Sequence, residues 1–243
     1  MKLGISADEF SKMSGEAKKK HIANLFIAKS EAKSVEAPAS PIAVMTAGLP
    51  GAGKTEFLDS LAEGIAELQY NLPVRIDLDE IISVLPNYAP KDYYKFRNQG
   101  NLLLERTIDI ARKGRYNMFI DGTFASKTGA SLKTITKLLD TGYRVILVYI
   151  YDEAETAWMY TQKRRVETGR TIKLAGFKES AEYIPVNLKQ AVRRFGENKM
   201  FKMSLVIQKK LRDRDFDITT DSNKIDKQLN ICYNTKELKD YDV

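Results

Sequence analysis

Along the 243-residue chain, stretches with an apolar residue every three or four positions alternate with short continuous apolar runs. The first pattern predicts amphipathic helices and the second buried strands. Residues 6–33 read as a helix or helix pair, with Phe10, Met13, Ile22, Leu25 and Phe26 as the apolar positions. Helical spacing returns over 54–69, 91–113 (weakened at Gly100), 126–140 and 152–168. A last helix is expected to open at Pro185 and run to about Leu211. Strands are expected at 42–47, 74–77, 116–121 and 143–151, with two late ones at 216–220 and 229–233 around an Asp221-Ser222-Asn223 turn. The run YRVILVYIY at 143–151 is the most apolar and so the candidate central strand.

The segment EAPASP at 36–41 is rich in helix breakers. It divides a helical extension and linker at 1–40 from a domain at 41–243. Strands alternating with helices imply an α/β fold, a parallel sheet with helices on both faces. Ligands in such sheets lie beyond the carboxyl ends of the strands.

Composition narrows the chemistry. Hydrophobic residues make up 43% and charged residues 29% of the chain, enough apolar content for a sizeable core. The net charge of +7 suits anionic partners such as nucleotides, phosphosugars or nucleic acid. Cys232 is the single cysteine and His21 the single histidine. No intrachain disulfide can form, a cysteine-based metal site is excluded, and Ser-His-Asp or Cys-His catalysis would rest on His21 alone. His21 follows Lys18-Lys19-Lys20 in a polar helical stretch and reads as a surface residue. The longest apolar run is about half of what a bilayer crossing needs, and the N-terminus has no signal-type run. A cytoplasmic protein is expected.

The strongest motif is Gly48-Leu49-Pro50-Gly51-Ala52-Gly53-Lys54-Thr55. It matches G-x-x-x-x-G-K-[ST] and lies between an expected strand and an expected helix, the context a phosphate-binding loop requires. Glycines let backbone N–H groups turn inward around phosphate oxygens, and the helix N-terminus adds donors and a favourable dipole. In that reading Gly48, Gly51, Ala52, Gly53, Lys54 and Thr55 hold ATP, with Lys54 on the β- and γ-phosphates and the Thr55 hydroxyl on Mg²⁺. An ATP-driven motor would carry Asp-Glu directly at the end of an apolar strand. Here the strands end Ile76-Asp77-Leu78-Asp79 and Phe119-Ile120-Asp121, which favours a phosphotransferase.

Acids at the strand ends offer a base and substrate contacts. Asp77 and Asp79 can each do that or cap the following helix. Lys163-Arg164-Arg165 and Arg170 can form a lid over the phosphates, a solvated helix face, or a nucleic-acid patch extended by Arg193, Arg194, Lys199, Lys202, Lys209 and Lys210. Thin aromatic interleaving weighs against nucleic acid.

Together GLPGAGKT, IDLDEI, Glu105 sixteen residues before Asp121, YNMFIDGT, RRVETGR and YIPVNL resemble the zeta-toxin P-loop kinases, from about Ala28 to the late strands. The resemblance implies a P-loop kinase fold with a basic helical lid, ATP with Mg²⁺, and phosphorylation of a small-molecule hydroxyl. In the best-known members that hydroxyl is on the sugar of UDP-N-acetylglucosamine. By position, Lys54 and Thr55 hold ATP and magnesium, Asp79 is the base, and Asp79, Glu105, Asp121 and Thr123 contact the acceptor. Arg165 and Arg170 embrace the phosphates. A separate antitoxin that blocks the ATP cleft is a further implied partner. The sequence departs from the family in its acceptor pocket, with Ala125 where an arginine is usual and Asp121 where glutamate is common. Two rivals remain: a P-loop kinase acting on a nucleotide, NAD or a polynucleotide end, and a nucleotide-regulated binding module.

Overall fold

The computed structural model describes residues 4–169, 171–210 and 215–239. Two helices, α1 (Ala7–Lys12) and α2 (Gly15–Lys29), precede the first strand. The chain then runs β1 (Ile42–Ala47), α3 (Lys54–Glu67), β2 (Val74–Asp77), α4 (Leu78–Ser83), α5 (Tyr93–Lys113), β3 (Met118–Asp121) and α6 (Ala130–Asp140). It continues with β4 (Arg144–Tyr151), α7 (Ala154–Thr168), α8 (Leu174–Phe195), β5 (Phe201–Lys210), β6 (Asp215–Thr219) and α9 (Ser222–Leu229). A 3₁₀ turn at Pro90–Asp92 leads into α5.

Among the described residues the strands form one sheet in the order β2-β3-β1-β4-β5-β6, parallel except for β6. In β1 every residue after Ile42 is buried, and in β4 Leu147 to Tyr151 are buried in succession. Such uninterrupted burial requires cover on both faces of the sheet. The register sets Asp77 of β2 directly beside Asp121 of β3. Because β3 lies between β2 and β1, both carboxylates reach the edge of the loop that leaves β1.

The first helices join the same core. Phe10, Ile22 and Phe26 are buried, and α2 packs on α5 and β2. Gly100 lets α5 approach α4: a Cβ there would press into the side chains of Ile82 and Leu78. Its low helix propensity is the cost of that close packing.

The end of the chain corrects three expectations. Pro185 does not open a helix but lies inside α8. The apolar face of α8 starts well before it, with Phe177, Ala181 and Ile184 buried, and Phe177 packs edge-on against Trp158 at 5.0 Å. That burial holds the helix through a proline that removes one backbone bond. The helix stops at Phe195 and Phe201–Lys210 is instead β5, paired with β4 and β6, while Leu211, the expected helix end, lies outside the described residues. At 229–233, expected as a strand, α9 ends and an irregular segment follows. Asp221 caps α9, its side chain accepting from the Asn223 N–H at 2.9 Å. Helix α6 begins at Ala130 rather than 126, leaving residues 122–129 as a loop.

Candidate active site

The Gly-rich loop turns sharply after β1 and is tied to the exit of β3, the Gly48 N–H donating to the Thr123 carbonyl at 3.2 Å. Gly51 and Gly53 both have φ of +83°, a region side chains rarely adopt. Gly51 also lies so close to α7 that a Cβ would collide with the Ala157 carbonyl and the Thr161 hydroxyl. Gly53 caps α3 without a side-chain hydrogen bond, so no side chain occupies the first amides of that helix. Those amides, with the helix dipole behind them, suit phosphate oxygens.

Lys54 is buried and its Nζ donates to the Leu49 carbonyl at 2.7 Å. Burial lowers its pKa, opposed by the charges of Asp121 and Asp79. A buried ammonium held by one carbonyl is electrostatically suited to a polyanion.

Asp121 is the hub of the strand-end acids. The Thr46 hydroxyl meets its Oδ1 at 3.0 Å, and the Thr55 hydroxyl and Arg75 Nη2 each meet its Oδ2 at 3.2 Å. Arg75 Nη1 also reaches Asp59 Oδ1 of α3 at 3.0 Å. Asp77 caps α4, its Oδ1 accepting from the N–H groups of Asp79 at 2.6 Å and Glu80 at 3.4 Å. Burial, then the charges of Asp79 and Asp121, push the Asp77 pKa up to about 7. Of the two roles open to Asp77, the cap is therefore filled. Among the described residues no three His, Cys, Asp or Glu side chains are arranged to hold a metal ion. The Thr55 hydroxyl beside the Asp121 carboxylate nonetheless fits Mg²⁺, which keeps most of its shell as water and phosphate oxygens.

Two cavities meet here. The first, about 160 Å³, is lined by the loop and by Lys54, Thr55, Asp77, Asp79 and Arg164. The second, about 480 Å³, lies between α5, the 122–129 loop and α8, and Glu105, Thr123 and Ala125 line it. Leu78, Arg97, Asp121, Gly122 and Thr123 border both. An open recess of about 600 Å³ outside the loop is lined by Glu56, Tyr160, Lys163 and Arg164.

The structure thus gathers Gly51, Lys54, Thr55, Asp79, Asp121 and Thr123 around one cavity, with Glu105 in the adjoining one. Arg165 lines none of these three spaces, whereas Arg164 lines the first cavity and the outer recess. On α7 the positions Tyr160, Thr161, Arg164, Glu167 and Thr168 share the face toward the loop, and Arg165 is turned about 100° away. Arg170 lies outside the described residues.

Three side chains escaped the sequence reading. Arg75 sits in a short strand just ahead of the IDLDEI segment and carries no signal of its own. Arg97 carries no local signal, although four-residue steps along α5 place it in line with Asn101 and Glu105. Asn187 is buried on α8, where its Nδ2 donates to the carbonyls of Phe124 at 2.8 Å and Ser126 at 3.1 Å. It holds the 122–129 loop, in which Phe124 has a φ of +61°.

None of the curated proteins matches the sequence. Among solved structures, one from the PezAT chromosomal toxin–antitoxin system of Streptococcus pneumoniae is similar, with TM-score 0.64 and 21% identity over 95% of this chain and 92% of that one. The native AvrRxo1-ORF1:-ORF2 complex is similar at TM-score 0.64 and 13% identity over 93% and 80% of the two chains. The ATP-bound form of that complex is similar at TM-score 0.62 and 13% identity, over 95% and 80%. These likenesses establish the P-loop kinase-like fold. The zeta toxin family model matches residues 27–221, and the chain belongs to the zeta toxin family.

Proposed function

We propose that the protein is an ATP-dependent kinase that phosphorylates a hydroxyl of a small molecule, a sugar nucleotide such as UDP-N-acetylglucosamine. One observation carries the reading: the cavity at the Gly-rich loop and the cavity beside Glu105 share a wall ending in Asp121 and Thr123. A donor in the first and an acceptor in the second would place a terminal phosphate against an alcohol, the arrangement phosphoryl transfer needs.

In this reading the backbone of Gly48 to Gly53 and the Lys54 ammonium hold the ATP phosphates. Thr55 and, through its hydrogen bond, Asp121 would hold Mg²⁺, which would supply positive charge to offset that of the phosphates. Asp79 accepts the proton of the acceptor hydroxyl. Glu105 and Thr123 position the acceptor, whereas both oxygens of Asp121 are engaged by Thr46, Thr55 and Arg75, which supports a role in ordering the metal side. Arg164 faces the phosphates from α7, and the family resemblance adds Arg165 and Arg170 to the lid. ATP as donor fits a cytoplasmic protein, and no helix among the described residues is long and apolar enough to cross a membrane. The structures from the PezAT toxin–antitoxin system and the AvrRxo1-ORF1:-ORF2 complex support a protein partner, which the family resemblance makes an antitoxin over the ATP cleft.

Ala125 lines the acceptor cavity where the family usually has an arginine, and this favours a second reading in which the acceptor is another nucleotide or NAD. Incubation with γ-labelled ATP, Mg²⁺ and a panel of sugar nucleotides, nucleotides, NAD and oligonucleotides tests both. Label on a sugar nucleotide is the expected result. Label on NAD or a nucleotide alone selects the second reading, and ATP binding with no labelled acceptor in the panel or in cell extract leaves a nucleotide-regulated binding module.

A further inference from the structure

We infer that Arg97 is a catalytic residue, a guanidinium that contacts the phosphoryl group as it passes from donor to acceptor. The inference rests on the kinase reading above and adds to it a residue on α5 rather than on the lid.

Leu78, Arg97, Asp121, Gly122 and Thr123 border both cavities, and Arg97 alone among them is cationic. Lys54 and Arg164 line the donor side but not the acceptor cavity, so neither marks the junction as Arg97 does. Asp121 at the junction pairs with Arg75, and the other cation of the acceptor walls, Lys127, pairs with Glu179. Arg97 makes no ion pair among the described residues. Its partner is then the anion that arrives with the substrates. Once both cavities fill, water leaves its surroundings and its interaction with charge on the transferring group strengthens.

The backbone beneath Arg97 is packed on both sides. Tyr93, one turn earlier, is buried, and Gly100 packs tightly on Ile82 of α4. Arg97 and Glu105 lie eight residues apart on one face of α5, about 12 Å along its axis. The same helix face therefore carries a cation at the transfer point and a carboxylate lining the acceptor cavity. A planar guanidinium can donate two parallel hydrogen bonds to the equatorial oxygens of a phosphoryl group, which lysine cannot match.

The test uses the full chain and a mimic of the transferring group, so it needs no identified acceptor. Binding of ADP with Mg²⁺ is measured with and without aluminium fluoride for the wild type, Arg97→Met and Arg97→Lys. In the wild type aluminium fluoride tightens binding. In Arg97→Met the ADP affinity is expected to stay within about threefold while the tightening falls by about 100-fold, the scale of one lost transition-state donor. Arg97→Lys is expected to restore part of it. Unchanged tightening in Arg97→Met overturns the inference, as does an equal loss of ADP affinity, which would make Arg97 a ground-state clamp. Wild-type protein that binds ADP without any tightening also overturns it. A wild type that binds no ADP instead overturns the kinase reading itself.

Discussion

Arg75 joins Asp121 to Asp59: one guanidinium of β2 meets the end of β3 at 3.2 Å and the P-loop helix α3 at 3.0 Å. Asp121 is nearly inaccessible, so its charge depends on these donors. Removing one partner of a buried pair leaves an uncompensated charge. Arg75→Met is expected to destabilise the fold by about 3 kcal/mol, at the low end of that range because Asp59 is half exposed. Adding Asp121→Asn is expected to recover part of the loss. Urea denaturation of the single and double variants checks both, and additive losses would show that the pair contributes nothing.

Lys54 separates ligand binding from folding. Its ammonium is buried with the Leu49 carbonyl as hydrogen-bond partner, so the folded chain bears a desolvation penalty for it. Lys54→Met keeps the stem and removes that penalty along with one charge-assisted hydrogen bond. The two effects oppose each other, and Tm is expected to move by only a few degrees. ATP affinity is expected to drop at least about 100-fold, as a phosphate-coordinating charge is lost. Calorimetric titration with ATP beside a thermal melt reads both, and a well-folded variant with unchanged ATP affinity would refute the loop's role.

Asp77 and Asp121 are register partners at the strand ends, and the folded chain pushes the Asp77 pKa from the usual 3.8 to about 7. The folded state therefore holds a proton there that the unfolded chain releases. The associated stability is full below about pH 3.8 and is lost as pH rises through about 7. Asp77→Asn keeps an oxygen to cap α4 and removes the titration. The variant is expected to melt higher than the wild type at pH 8 and to lose that advantage toward pH 5. A Tm difference that does not change with pH would show that Asp77 does not titrate between those values.

Much of this layout was legible beforehand because it depends on local physics. The strand-loop-helix around Lys54, the span of β2 at Val74–Asp77 and the buried run of β4 follow from periodicity and glycine placement. The start of α8 was misplaced at Pro185 because burial of Phe177 and Ile184 overrides the proline, and no local pattern reveals that burial. Gly196-Glu197-Asn198, where α8 stops, was the available warning that Phe201–Lys210 is a strand. Side chains such as Arg75, Arg97 and Asn187 act across elements distant in sequence, so their roles depend on the fold being known first.

The same limit applies to the lid. Sequence order makes Arg164 and Arg165 interchangeable, while the turn of α7 does not: Arg164 faces the cradle and Arg165 lines none of the three spaces around it. Arg164→Ala is expected to reduce kcat about 100-fold, as loss of a charge at the phosphates does. Arg165→Ala is expected to cost less than about tenfold. Steady-state rates with the acceptor found in the labelling panel measure the contrast, and a larger effect at Arg165 would mean that α7 rotates or rearranges when the site closes.

Asn187 offers the last separation, between the two substrates. Its amide donates to the carbonyls of Phe124 and Ser126, which belong to the loop forming one wall of the acceptor cavity. Asn187→Asp has nearly the same shape but no hydrogen to donate, and it turns two acceptors toward a third. The loop then loses the bonds that hold Phe124 at positive φ. Stability is expected to fall by about 1–3 kcal/mol, the cost of unsatisfied buried groups. The KM for the acceptor is expected to rise at least about tenfold, because substrate positioning is sensitive to shifts of an ångström. ATP affinity is expected to hold, since the donor cavity does not include this loop beyond Thr123. Equal losses for ATP and acceptor would show instead that Asn187 supports the whole site rather than the acceptor wall.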